Sequence, residues 1–591
     1  MSARRDSAWY VATRWVARHR SAVALAAVVL LAVGASAIVS VRQAREAREQ
    51  SRIATIEATT AAAVQDFLEG ILRAGDGAQT DPIKARQRTV NELVDAASAQ
   101  VGTSLQGQPA AKQRVLRTLA EVYESIGRGD EAANLRGQRA AVLEASEGPA
   151  AEATLMAWAE WADALVYASR EDEAMRLLAR ADSVSAGRPI GPDARLKLDL
   201  ARANLLATGL RDGALEPAQR AVSALLAKPP SRDLLRAMDL LAMAHMSLGQ
   251  MAESRQTLQR AIELARGMAG AGRQALVILL GSQGDIAIRM DQSEAALASY
   301  REAVATADAH AGAASPLAAI ARFNLALGLG SVDQPLAGQA IMEQALGIVE
   351  GWPSSSPERT QYQPMYTLRL ATLLRRAGRP AQALQRLEAS TVLLERADAL
   401  PSFAALWRIE RSLVLVDLGR LADSARDLAA ARAQVQRMSG DPALRHMLDS
   451  AAVRLALAER RPQAAQEHWQ RLNAANDRSL RRRLAIDAAH VEMLLLERRC
   501  DDGERVAQQT LTELETQPSF QRSSRAQLEA LIGYSRLCAG QHAQAVEPLG
   551  SALRSWSQIE DAATSPRVAQ VRAALMEAQA RSRVRTGPRR E

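Results

Sequence analysis

The sequence predicts an all-α protein: a single transmembrane helix followed by a right-handed α-solenoid of about eleven helix pairs, repeating about every 41 residues. Three observations predict it. Residues 21–41 carry no charge and are flanked by arginines. The rest is rich in Ala and Leu and only 3% of the chain is aromatic, the composition of a helix former. Small residues, glycines and leucines recur downstream at fixed offsets.

Residues 1–20 form a short basic segment with Arg4, Arg5, Arg14, Arg18 and Arg20. At about 1.5 Å per residue, residues 21–41 cover roughly the 30 Å apolar core of a bilayer. The rival reading is a signal peptide cut at Ala35-Ser36-Ala37, but the apolar run continues through Ile38, Val39 and Val41. Basic residues on both sides give only a lean toward a cytoplasmic amino terminus. The expected location is therefore a bacterial inner membrane, single-pass, with the repeats in the periplasm.

Residues 42–75 read as a juxtamembrane helical stem, with Ile53, Ile56, Val64, Phe67, Leu68 and Ile71 along one side. It docks on the first repeat or, as the alternative, forms a homodimeric coiled coil. Thr60 and Ala63 at the matching positions weaken the dimer. A linker and entry helix fill 76–111, where Thr89 and Glu92 have the spacing of a capping box.

The solenoid is expected over 112–560, with a capping helix and basic tail over 561–591. In "LRTLAEVYESIGRGDEA", Leu119-Ala120 is followed by Tyr123, Gly127 and Glu131-Ala132. The frame returns at Leu241-Ala242 with His245, Gly249 and Ser254, and at Leu370-Ala371 with Leu374, Gly378, Ala383 and Leu387. Aligned on the small residue, copies fall at 120, 162, 242, 284, 326, 371, 412, 453 and 533, with degraded ones near 202 and 493. Small residues let two helices approach closely, and the glycine suits a left-handed helix end.

This set of residues resembles the tetratricopeptide repeat, and the long period is similar to the kinesin light chain type of that repeat. The resemblance implies stacked antiparallel helix pairs and a concave groove for a partner's peptide. A second resemblance rests on "VQDFLEGIL", "TVNELVDAA" and "QPAAKQRVLRTLAEVYESIG" behind the basic flank and apolar run. Together they look like the transmembrane-plus-repeat half of bacterial membrane-bound serine/threonine kinases, which implies a cytoplasmic amino terminus. The kinase itself is missing: twenty residues precede the span, and no glycine-rich loop, His-Arg-Asp or Asp-Phe-Gly occurs.

Composition and motifs exclude other classes. Of the formal +8, residues 1–20 (five Arg, one Asp) and 581–591 (five Arg, one Glu) supply all, so the body is neutral and nucleic acid is not an expected partner. The histidines at 19, 245, 310, 446, 468, 490 and 542 have no metal-ligand spacing, and "GYSRL" lacks the second glycine of a nucleophile elbow. No enzymatic role, cofactor or metal is expected. Cys500 and Cys538 lie about one repeat apart, both near the end of a first helix. They are read as two unrelated small core residues, with a disulfide across neighbouring repeats as the alternative.

The groove is expected to receive the residue after each small position and the one a turn further on. These are Glu121, Glu124, Asp163, Met243, Met246, Asp285, Leu327, Thr372 and Arg375, a mixed surface of acidic residues and adaptable methionines. Arg478, Arg481, Arg482 and Arg483 form a solvated charge run or an anion-binding patch. The resulting expectation is a membrane-anchored scaffold or sensor that binds a protein or peptide in its groove. The alternatives are the regulatory half of a split kinase system and a cleaved periplasmic assembly factor.

Overall fold

The computed structural model describes residues 8–18 and 90–586 apart from short internal gaps, with scattered residues between 20 and 69. The gaps are 126–127, 169, 209–212, 354–356, 397–400, 438–441, 475–479 and 516–521. Among the described residues every regular element is an α-helix.

The expected transmembrane helix over 21–41 lies outside the described residues, and the membrane reading is corrected on those that are described: none of their helices is long and apolar enough to cross a bilayer. The reason is physical. A span needs about 20 apolar residues. The apolar helices Pro316–Ser331 and Pro335–Glu350 have 16 each, while the 21-residue Pro566–Thr586 carries arginines on exposed positions. The membrane anchor, the membrane as a partner and the inner-membrane topology with periplasmic repeats are therefore not carried forward. Most of the stem over 42–75, on which the homodimer expectation rests, and the basic tail after Thr586 also lie outside the described residues.

The chain divides into two compact units. The first comprises residues 1–123 and 131–157. In it the entry helix Val90–Ser104 is tied to the helix Pro109–Ser125 by the Tyr123 hydroxyl, which donates to Asp95 Oδ1 at 2.7 Å. Val101, Leu105 and Leu116 are buried there.

The second unit, residues 124–130 and 158–591, holds most of the repeats. Among the described residues eleven helix pairs follow the entry helix, their first helices opening at Pro109, Glu152, Pro192, Arg232, Ala271, Pro316, Pro357, Pro401, Pro442, Leu480 and Arg522. We number the repeats 1 to 11 in this order; a final helix, Pro566–Thr586, caps the last. Proline opens six of the eleven because the first helical position needs no backbone N–H and a φ near that of the proline ring. The degraded copies near 202 and 493 are ordinary repeats, with first helices Pro192–Thr208 and Leu480–Leu496.

Small residues set the spacing within each pair. Ala174, Ala218, Ser254, Ala296, Ala383, Ser424, Ala465 and Ala545 of the second helices are fully buried. A Cβ on Gly338 would stand 2.7 Å from the carbonyl oxygen of Ala326, the small residue of its first helix. The turn between paired helices is left-handed at Gly249, Gly378, Gly419 and Gly540, and also at Asp291, Asp333, Arg460 and Arg498. The following N–H then reaches back to close the helix, as from Arg379 to the Leu374 carbonyl at 2.8 Å and from Arg499 to that of Leu494 at 2.9 Å.

Within the second unit the later repeats curl until their edges meet. The Asp561 N–H donates to the Ala377 carbonyl at 2.8 Å, the Thr564 hydroxyl to the Gly378 carbonyl at 2.9 Å, and Arg379 Nε to Asp561 Oδ2 at 2.9 Å. Asp333 accepts from the Ser523 N–H at 2.8 Å and its hydroxyl at 2.6 Å. These contacts form a seam that brings the turns of repeats 6 and 7 against the start of repeat 11 and the loop after it.

Candidate functional site: a lumen enclosed by repeats 7 to 11

Behind the seam lies a cavity of about 790 Å³. Its wall is built from the inner sides of the first helices of repeats 7 to 11, closed by Trp556 and the cap. The apolar part includes Val453, Leu457, Leu531, Tyr534 and Trp556.

Charged groups cross this wall in pairs. Arg375 Nε donates to Glu410 Oε1 at 2.7 Å, Arg454 Nη2 to Asp417 Oδ1 at 2.8 Å, and Arg567 Nη1 to Glu560 Oε1 at 2.5 Å. Glu560 also accepts from the Ser565 hydroxyl. Glu492, on the lumen side of repeat 10, makes neither a hydrogen bond nor an ion pair among the described residues. Four of these groups are shifted. Burial pushes the Glu492 carboxyl above its usual range, only partly opposed by Arg454 and Arg567. Burial likewise raises Glu560 against Arg567, and lowers Arg454 against Asp417. For Arg375 the burial cost is more than offset by Glu410 and Asp417, so its proton is held more tightly.

Of the groove residues expected from sequence, Arg375 alone lines this cavity. Glu121 is exposed and 3.7 Å from Arg117, and Glu124 is exposed. Asp163 accepts from Asn204 Nδ2 at 2.8 Å and pairs with Arg236, so repeats 2, 3 and 4 are tied together there. Met243 and Met246 are half-buried against the core, as is Leu327. Asp285 accepts from the Tyr300 hydroxyl at 2.5 Å, and the Thr372 hydroxyl donates to its own helix. In the arginine run, Arg483 pairs with Glu513, and Arg478 lies outside the described residues.

Arg454, Glu492 and Tyr534 also line the lumen and are not among the groove residues expected from sequence. The rule of one residue past the small position gives Arg454 after 453 and Tyr534 after 533.

A second carboxyl outside the lumen is also perturbed. Asp239 in repeat 4 has an Oδ1 sealed from solvent without a partner, and burial pushes its pKa up to about 6, helped by the Asp285 charge and opposed by the Ser282 hydroxyl. An acid with a raised folded pKa keeps its proton where the unfolded chain has lost it. Stability therefore falls as pH rises from about 4 to about 6, then levels off. Asp239→Asn is expected to leave stability nearly unchanged at pH 4 and to raise it by up to about 3 kcal/mol at pH 7. Urea unfolding at the two pH values measures this.

Cys500 opens the second helix of repeat 10 and Cys538 closes the first helix of repeat 11, so they do not both end first helices as expected. The structure joins them in a disulfide with Cα atoms 5.6 Å apart. A non-reducing peptide map of the purified protein is expected to recover the two peptides linked; two free thiols would contradict it. Among the described residues no group of three or more His, Cys, Asp or Glu is placed to hold a metal ion, and no strand is present on which a sheet-based active site could be built.

Residues 235–267 match the family model of the tetratricopeptide repeat. The match falls on repeat 4, whose helices are Arg232–Ser247 and Met251–Gly267. Solved structures with similar chains include a Rap protein complexed with competence and sporulation factor, 10% identical, covering 66% of this chain and 100% of that one at a TM-score of 0.39. Aspartyl phosphate phosphatase F from Bacillus subtilis is 14% identical over 60% of this chain and 91% of that one, TM-score 0.39. The apo quorum sensor NprR from B. thuringiensis is 10% identical over 64% and 99%, TM-score 0.40. No curated protein matches. The resemblance to the membrane-and-repeat half of serine/threonine kinases is thereby corrected: the family match is to the tetratricopeptide repeat alone, over residues 235–267.

Proposed function

We propose that this protein is a regulatory peptide-binding solenoid whose ligand site is the lumen of repeats 7 to 11. The regulatory reading replaces the membrane-anchored scaffold. One observation carries it: the seam borders a half-open cavity of about 790 Å³, within the roughly 300–1,000 Å³ of ligand sites, walled by apolar side chains and fixed charges. A short peptide presents that same mixture of apolar and charged groups. A flat helix face would give only a shallow contact, whereas a concave wall removes more of a ligand's surface from water.

The test uses the full chain and a random pentapeptide pool, with retained peptides identified by mass spectrometry after equilibrium dialysis. Gln570 is exposed and lines the lumen from the cap. Gln570→Trp is expected to cut retention at least tenfold while leaving the urea midpoint in place. Absence of any retained peptide, or equal retention by the variant, would refute the reading.

A further inference from the structure

We infer that the Cys500–Cys538 disulfide is a redox latch on the seam: a dithiol that cuts it frees repeat 11 and opens the closure beside the lumen. Repeat 11 carries one side of every seam contact to the turns of repeats 6 and 7. Its first helix presents Ser523 to Asp333, and the loop after its second helix presents Asp561 and Thr564 to residues 377–379. On its other flank the same first helix ends at Cys538, bonded to Cys500 of repeat 10. The seam consists of hydrogen bonds and one ion pair at a partly exposed edge, contacts of small net worth singly. They persist while the chain between them holds the partners at high effective concentration. Besides the disulfide, repeat 11 is held to repeat 10 by a core of Ala488, Val491, Ala507, Leu531 and Ile532, by Leu528 against Leu484, and by Arg536 Nε donating to Glu504 Oε1 at 2.8 Å.

The setting of the two sulfurs suits exchange with a thiol. Both cysteines are half-buried and sit beside exposed residues, Arg499 and Ala539, so a small thiol reaches them. Cys500 is the first residue of the helix Cys500–Glu515, whose N-terminal end stabilises a negative charge. Cys538 is the last residue of Arg522–Cys538, whose C-terminal end does the opposite. Of the acids in the first turn after Cys500, Asp502 is paired with Arg499 and Arg505, and Asp501 is exposed to water. Attack by one sulfur of the dithiol on the Cys538 sulfur therefore expels Cys500 as the better-stabilised thiolate. The second sulfur of the dithiol then displaces Cys538. Two electrons and two protons pass from the dithiol, which leaves as its cyclic disulfide, to two cysteine thiols, and no other reactant is needed.

The experiment measures hydrogen exchange of the full chain before and after dithiothreitol, with alkylation and mass spectrometry counting the thiols released. Two seam amides report the closure: that of Asp561, which donates to Ala377, and that of Ser523, which donates to Asp333. Reduction is expected to speed both about tenfold, while the helices Arg232–Ser247 and Leu480–Leu496 keep their rates. Reoxidation with oxidised glutathione is expected to restore the slow exchange. The chain with Cys500→Ser and Cys538→Ser together should show the fast rates throughout and no response to the dithiol. Should that variant fail to fold, reduction and reoxidation of the wild type decide alone. Unchanged seam amides after both thiols are freed would overturn the latch, as would a bond that dithiothreitol leaves intact in the folded chain. Equal acceleration across the helices of repeat 10 would make the bond a staple of the local fold and overturn it too. No ligand is present in any arm, so failure of the latch and failure of the lumen reading are told apart.

Discussion

Tyr300→Ala is expected to lower the unfolding free energy of repeats 5 and 6 by about 3–5 kcal/mol, the range for truncating a large buried aromatic. Tyr300 is 2% exposed, and its ring is held between two backbones. A Cβ on Gly284 would lie 2.5 Å from its ring, and one on Gly328 equally close on the other side. The hydroxyl at the far end reaches Asp285, an acceptor left alone by the truncation. Relaxation cannot fill the gap, because neither glycine has a side chain to move in. Solenoids unfold in sections, so hydrogen exchange of the helices Ala271–Arg289 and Pro316–Ser331 is the suitable measure. A loss below about 1 kcal/mol would show that the ring is not the wedge between these repeats. The reciprocal change, Gly328→Ala, should be costly with Tyr300 present and cheaper in the Tyr300→Leu background, since the clash is with the ring.

Gly378→Ala is expected to cost about 2–4 kcal/mol and to loosen the seam. Two effects add. The residue has φ +76°, where a side chain meets the following carbonyl. The new Cβ would also stand 2.6 Å from Ser565 Cβ and 3.1 Å from Glu560 Cβ, which belong to the loop that closes the lumen. Gly419, with φ +73° and open space around it, is the control. Gly419→Ala should show only the backbone part. Faster exchange of the Asp561 N–H, which donates to Ala377, reports the seam directly. Equal exchange in the two variants would mean that Gly378 acts through its own turn and not through the closure.

Much of the solenoid was legible because its rules are local. A small residue facing a small residue twelve positions on, as in Ala371 and Ala383 or Ala242 and Ser254, marks a helix pair wherever it occurs. The turn was legible only where glycine fills the left-handed position. Asp291, Asp333, Arg460 and Arg498 take the same conformation at some steric cost, and the repeats they close read as weak copies. Of the groove residues, Arg375 lines the cavity, and several others are engaged by neighbouring helices. Asp163 and Asp285 are consumed by Asn204, Arg236 and Tyr300 on neighbouring helices, partners 15 to 73 residues away that no local pattern announces. The seam was illegible for a stronger reason. Asp333 meets Ser523 after 190 residues, a closure set by small rotations summed over several repeats. Hydropathy, finally, argued for a bilayer-spanning segment that the described helices do not supply.

The closure also changes what kind of array this is. An open stack tolerates the gain or loss of a unit, because each member knows only its neighbours. Here Arg379 must find Asp561, so the number of units between them is counted by the molecule itself. One more would carry the two edges past each other, and one fewer would leave them apart. Inserting or removing one unit between Arg379 and Asp561 would therefore break the closure.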